Sequence, residues 1–121
     1  MQDETLGAKV CTPCRGGIPP LTPEAVAALL PQVPGWRASE DFTRLERDFR
    51  FADFRQALDF VTRAGEVAEA EFHHPLSITF GWGFASIALA TMKIKGLHEN
   101  DFILAAKISG VAETLPATES A

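Results

Sequence analysis

Residues 42–80 read FTRLERDFRFADFRQALDFVTRAGEVAEAEFHHPLSITF, and the change of period inside this stretch decides the fold. Over residues 42–51, Leu45, Arg47, Phe49 and Phe51 fall on one side and Arg44, Glu46, Asp48 and Arg50 on the other. A period near two, with aromatics on one side, predicts a half-buried antiparallel strand. Asp53 then suits a helix N-cap. Beyond it Phe54, Ala57, Leu58, Val61, Ala64, Val67 and Ala68 recur at spacings of three and four, while Arg55, Asp59, Arg63, Glu66 and Glu69 take the opposite side. That is one helical face held for about five turns. The helix is expected to end near Phe72, ahead of His73-His74-Pro75, with a strand following over residues 76–80.

Outward from this stretch the pattern repeats. Gly81 and Gly83 flank Trp82, and residues 84–94 predict another strand. It is apolar on both faces, as an inner strand covered on both sides would be. Gly96-Leu97 ends it, and a last helix is expected over residues 99–109, burying Phe102, Ile103 and Ala106 with Ile108 at the edge. Gly110 is its expected stop. On the N-terminal side, Thr22 and Pro23 start a helix striped by Ala25, Val26, Leu29 and Leu30, and Pro31 stops it. Pro34-Gly35 makes a turn, Trp36 opens a short strand, and Ser39-Glu40-Asp41 turns again. Residues 1–20, punctuated by Pro13, Gly16, Gly17, Pro19 and Pro20, read as an irregular leader, residues 21–113 as the domain and residues 114–121 as a fraying tail. The order α-β-β-α-β-β-α predicts an α+β domain: a four-stranded antiparallel sheet with helices packed on one face. The other face is left for a ligand or a partner subunit.

Composition narrows the function classes. With 121 residues, 46% of them hydrophobic, the chain has material for one core. Its 11 basic against 16 acidic side chains leave a net charge of −5, a poor basis for binding nucleic acid. No apolar run approaches the ~20 residues of a membrane helix. The start, MQDETLGAKVCTPC, has acid before base and no apolar region, so no signal peptide is expected. Two cysteines make no disulfide scaffold, and the expected location is cytoplasmic. A small enzyme, a ligand-binding module and an interaction domain all remain open.

His73-His74-Pro75 is the most informative tripeptide. Pro75 pushes His74 into extended backbone, and neighbouring side chains on an extended segment point in opposite directions. Two roles for two imidazoles follow, and histidine suits acid–base work near neutrality. On spacing alone, two exposed loop histidines fit equally well. Cys11 and Cys14 form a C-x-x-C pair, but no further ligands lie near them and neighbouring histidines chelate one ion badly, so no metal site is expected. Two free cysteines in a flexible leader is the plainer reading. Trp82 reads either as core or as a wall for a flat ligand. His98 falls where a helix N-cap would sit, and Glu69 and Glu71 oppose the dipole at the end of their helix.

These residues resemble a known family. Glu69-x-x-x-His73-His74-Pro75, six residues, Trp82, a strand, then Gly96-Leu97-x-Glu99-Asn100-Asp101 is similar to the pterin-4a-carbinolamine dehydratases, also called 4a-hydroxytetrahydrobiopterin dehydratases. Phe49-x-Phe51-x-Asp53-Phe54-x-x-Ala57-x-x-Phe60 and Gly35-Trp36 match as well, and the likeness runs from Leu21 to Ile108. The resemblance implies the same antiparallel sheet with helices on one face. It implies homodimers built by sheet extension, often paired into tetramers through helices. It implies a lyase that removes water from a 4a-hydroxytetrahydropterin to give quinonoid dihydropterin, recycling the cofactor of aromatic amino acid hydroxylases, with no metal and no cofactor of its own. The role of acid/base on the 4a-hydroxyl falls on His73 and that of holding the pterin on His74. Glu69, Phe72, Pro75 and Trp82 complete that side, with Phe72 standing where a polar residue is usual. Aligned on Gly96-Leu97, the other side is Ala90, Thr91, Met92 and Lys93.

One departure bears on chemistry. The family's third histidine is Met92 here, and a thioether neither donates nor accepts a proton at neutral pH. Acid–base assistance contributes about 10²–10⁴-fold, so the loss leaves two expectations. Either the chain is a dehydratase, with His98 or Lys93 standing in and His98 favoured, or it is a pterin-binding or protein-interaction module with weak or no turnover. Some relatives serve as dimerisation partners of transcription regulators, and an open sheet face suits that role.

Overall fold

A computed structural model of the chain describes residues 6–9 and 18–115. Cys11, Cys14, most of the expected leader and residues 116–121 of the expected tail lie outside the described residues. The elements run α1 (Pro23–Leu29), β1 (Arg37–Ala38), β2 (Leu45–Arg50), α2 (Phe54–Glu71), β3 (Ser77–Gly81), β4 (Phe84–Leu89) and α3 (Glu99–Glu113), with short 3-10 turns at Leu6–Ala8, Leu30–Gln32 and Met92–Ile94. The four strands form one antiparallel sheet in the order β1-β2-β4-β3. The α+β architecture expected from the change of period is what forms.

Local chemistry explains the starts. Thr22 Oγ1 accepts the Ala25 N–H at 3.1 Å, with Pro23 at the first helical position. Asp53 Oδ1 accepts the Gln56 N–H at 2.9 Å, and Gln56 Oε1 reaches back to the Ala52 N–H at 3.0 Å. Both arrangements satisfy amides that a helix start leaves without partners. Between β1 and β2, Phe42 sits at φ +60°. Around it the Thr43 hydroxyl donates to Asp41 Oδ1 at 2.6 Å and the Ser39 hydroxyl at 2.8 Å. Those two hydroxyls, Thr43 first, lower the Asp41 carboxyl to about 2.

The inner sheet face carries Leu45, Phe49, Ala85, Ile87 and Leu89, all buried beneath α2 and α3. The Phe49 and Phe60 rings lie tilted 4.6 Å apart, Phe60 also meets Phe51 at 5.0 Å, and Trp36 meets Phe49 edge-on at 5.9 Å. The buried seam of α2 is Ala57, Phe60, Ala64 and Ala68. Phe60, absent from the stripe read by spacing, is its largest member, while Phe54 at the end of that stripe is exposed and stacks on Phe80 at 5.6 Å.

Four expectations are corrected. First, β4 stops at Leu89 rather than running to Ile94, because residues 92–94 wind into a 3-10 turn closed by Lys95 at φ +57°. Second, β4 is central in the sheet but covered on one side only: Phe84, Ser86 and Ala88 on its outer side are half-buried. Third, Gly110 does not stop α3, which continues to Glu113. Val111, Ala112 and Leu115 pack against the core and offset the ~1 kcal/mol that glycine costs inside a helix. α3 is also buried beyond the expected stripe, through Asn100, Asp101, Leu104 and Ala105. Fourth, the described part of the leader is not loose. Leu6, 3% exposed, belongs to the core, and Lys9 Nζ pairs with Glu99 Oε2 at 2.8 Å.

Among the described residues no helix is long and apolar enough to cross a membrane. The docking of Leu6 predicts that Leu6→Ala lowers stability by about 2–4 kcal/mol. Urea unfolding measures this, and an unchanged midpoint would show that the N-terminal turn is not part of the core.

Candidate active site

The end of α2 sets the histidines. Phe72 takes the left-handed conformation (φ +54°), its N–H turned back to Ala68 and Glu69 carbonyls. The His73 N–H returns to the Ala68 carbonyl at 3.2 Å, the longer bond of a Schellman turn. The chain therefore reverses sharply, exposing the Phe72 ring (87%) and burying His73 (8%). A non-glycine residue in this conformation costs roughly 1–2 kcal/mol.

His73 Nε2 meets Asp101 Oδ1 at 2.7 Å. Asp101 is fully buried in the first turn of α3. Its Oδ2 accepts the Thr91 hydroxyl at 2.7 Å and the His98 backbone N–H at 3.0 Å. His98 is the N-cap, with Nδ1 accepting the Asn100 N–H at 2.9 Å, so His98 and Asp101 form a capping box. An ionised carboxylate only accepts. Surrounded by donors, an Asp101 carboxylate favours the His73 proton on Nε2, which leaves Nδ1 as the unprotonated nitrogen of a neutral ring. The His98 ring is fixed the other way: Nδ1 accepts, so its proton stays on Nε2.

His74 points away from His73 and pairs its Nε2 with Glu69 Oε2 at 2.7 Å, both side chains largely exposed. The two imidazoles thus have separate carboxylates and separate environments. Lys107 takes Glu71 at 3.7 Å, so the two acids near the end of α2 both have cationic or imidazole partners.

Of the residues singled out by sequence, the structure gathers His73, Thr91 and His98 around Asp101, with Phe72, His74 and Pro75 adjoining along the chain. Ala90 and Thr91 are buried, while Met92 (65%) and Lys93 are exposed in the turn that follows. Because this segment is not a strand, Met92 and Lys93 do not alternate between two sheet faces. Trp82 is not brought to this cluster. It is 72% exposed at the tip of the β3–β4 hairpin, beyond the Gly81–Phe84 pair, whereas the histidines lie near the Ser77–Ala88 end. The four steps of β3 separate those ends by about 13 Å. Asp101 is the member that sequence reasoning quoted without giving it a role. The signal was present: an acid three residues after a capping residue has capping-box spacing.

Residues 19–111 match the family described as pterin 4 alpha carbinolamine dehydratase, so the resemblance read from the motifs is borne out. A protein of Cupriavidus pinatubonensis provisionally named pterin-4-alpha-carbinolamine dehydratase 1 is 54% identical over 109 residues, covering 90% of this chain and 93% of that one. A provisionally named dehydratase of Aromatoleum aromaticum is 51% identical over 114 residues, 94% of this chain and all of its own. Among solved structures, a transcriptional coactivator/pterin dehydratase from Brucella melitensis superposes with a TM-score of 0.72 at 29% identity, over 77% of this chain and 98% of that one. A pterin dehydratase-like RuBisCO assembly factor of the alpha-carboxysome shares the fold, with a TM-score of 0.57 at 24% identity, covering 64% of this chain and 89% of its own.

Two substitutions probe the cluster. Asp101→Asn keeps the shape but turns an amide toward one of the three donors, and is expected to cost about 2–4 kcal/mol in chemical denaturation. Phe72→Gly relieves the left-handed backbone and is expected to stabilise the fold by roughly 0.5–1 kcal/mol, net of the added freedom of the unfolded chain. A lower melting temperature for that variant would mean that the exposed ring contributes packing which outweighs its strain.

Proposed function

The chain belongs to the pterin 4 alpha carbinolamine dehydratase family, and from that premise we propose that it removes water from a 4a-hydroxytetrahydropterin to give quinonoid dihydropterin. The observation that carries the reading is the buried His73–Asp101 pair, 2.7 Å long, at the family's histidine motif.

Hydroxide is a poor leaving group, so the C4a–O bond breaks as the hydroxyl takes a proton. The electron pair comes from N5, whose own proton must leave. N5 and the hydroxyl sit on neighbouring atoms. One imidazole nitrogen placed between them can therefore take the N5 proton and deliver it to the departing oxygen, and the proton count closes with water as product. His73 Nδ1 is suited to this. Asp101 holds the tautomer and faces the positive charge that the ring carries while it bears the second proton. His74, fixed by Glu69 at the surface, holds the pterin. Phe72, Pro75, Ala90 and Met92 offer apolar side chains suited to a flat heterocycle, with Thr91 and Lys93 as polar neighbours along the chain. His98, with its proton on Nε2, serves as a hydrogen-bond donor and not as the second base. The reading carries with it a cytoplasmic location, homodimers or homotetramers, and a supply of substrate from aromatic amino acid hydroxylation.

Met92 favours a second reading, a pterin-binding or coactivator-like module with little turnover. The exposed thioether stands where the resemblance expects a histidine.

Stopped-flow absorbance of quinonoid dihydropterin formation decides between them. His73→Ala is expected to slow the catalysed step by ~10²–10⁴-fold and Met92→His to raise turnover roughly tenfold. Equal rates with and without protein, together with calorimetric binding of dihydrobiopterin, would establish the second reading. Equal rates without any binding would remove both.

A further inference from the structure

Arg47 lies on the helix-facing side of β2, between Leu45 and Phe49, where a core residue would be expected. Its guanidinium sits 4.5 Å above the Phe49 ring. Nη1 donates to Ser109 Oγ at 2.9 Å and to the Pro34 carbonyl at 3.4 Å. Ser109 Oγ also accepts the Trp36 indole N–H at 2.9 Å. Among the described residues no carboxylate comes within 4.0 Å of Arg47, and its remaining N–H groups make no hydrogen bond. A guanidinium partly withdrawn from water, with donors to spare, is a place where an anion can be taken up. Burial lowers the guanidinium pKa from its ordinary value, against the charge of Glu113, which raises it.

Above this guanidinium is a cleft of about 480 Å³, walled by Val33, Pro34, Gly35 and Ala106, with Gln32 and Glu113 at its rim. Gly35 keeps it open. It has φ +92°, and a Cβ there would stand 2.8 Å from Arg47 Cζ. We propose that this cleft binds a small organic monocarboxylate, its oxygens on the unused N–H groups of Arg47 and its apolar end on Pro34 and Ala106. The fork of a guanidinium matches a carboxylate. Glu113 selects against a phosphate dianion, which it repels more strongly than a single charge. The overall charge of −5 supplies no long-range attraction, so recognition is local. The cleft is separate from the histidines, since Ser109 lies eight residues past Asp101 on α3, about 12 Å along its axis. The inference does not rest on the dehydratase reading.

The Trp36 indole N–H reports on the cleft through Ser109. Its amide-type correlation in proton–nitrogen NMR is assigned by elimination with Trp82→Phe, as the chain has two tryptophans. Benzoate, acetate and inorganic phosphate are titrated into the full chain at constant ionic strength. Benzoate and acetate are expected to move the Trp36 signal saturably, benzoate at lower concentration. Ser109→Asp, which supplies an internal carboxylate to Arg47, is expected to weaken benzoate at least about tenfold without lowering the melting temperature. Glu113→Gln is expected to tighten it by roughly threefold. The proposal is overturned if neither carboxylate gives a saturable shift up to about 50 mM. An equal benzoate response in a folded Ser109→Asp variant, or phosphate binding tighter than benzoate, overturns it as well.

Discussion

A single buried carboxylate holds the candidate site together. Asp101 takes one hydrogen bond from the end of α2 through His73, one from the segment after β4 through Thr91, and one from the backbone that opens α3 at His98. A carboxylate this deeply buried would be costly without them. With three donors and a helix N-terminus beside it, the charge is compensated. Those donors also tie three otherwise separate pieces of chain to one point. The His73 ring gains a fixed tautomer and a fixed orientation from an interaction that the fold needs in any case.

The contrast between the two neighbouring histidines follows from the turn at Phe72. Had α2 ended with glycine, the same reversal would have come without strain. The chain instead keeps an aromatic side chain in a left-handed conformation and exposes it next to His73. Backbone strain retained beside a cluster of this kind is more readily explained by the work of the side chain than by stability. Phe72 and Met92 are both exposed beside the same buried network, where water would favour polar groups.

Much of this was legible in the amino-acid sequence, for reasons that can be located. The period of two in residues 45–50 and the stripe of α2 read directly because one side of each faces water. The caps at Thr22 and Asp53 read directly because their chemistry is local. Reading became harder where burial removed the contrast. α3 is buried around most of its first two turns, so its stripe underestimated the core and Gly110 looked like an end. β4 looked longer than it is, because Ile94 is buried from a 3-10 turn and not from a strand. Leu6 is buried by α3, ninety-odd residues away, and no local pattern announces that. At the site, the His-His-Pro motif was visible, but the acid that orients it was not. A contact between residues 73 and 101 leaves no periodicity, and Trp82, close to the motif in sequence, proved a strand's length away from it.

The two ends of α3 show what separates a structural charge from one poised to bind. At the first turn, Asp101 has every oxygen engaged, and an added ligand would have to break a hydrogen bond to reach it. Near the last turns, Arg47 has the opposite balance. The ring of Phe49, Ser109 and the negative end of the helix dipole offset part of its burial, but Glu113 stays beyond ion-pair distance. An aspartate at 109 would bring a carboxylate to the side of Nη1 that the serine hydroxyl now meets. The chain instead has a hydroxyl there and a glycine at 35, which together keep donors unused and space above them. The same helix therefore closes one charge into the fold and leaves another facing a cleft.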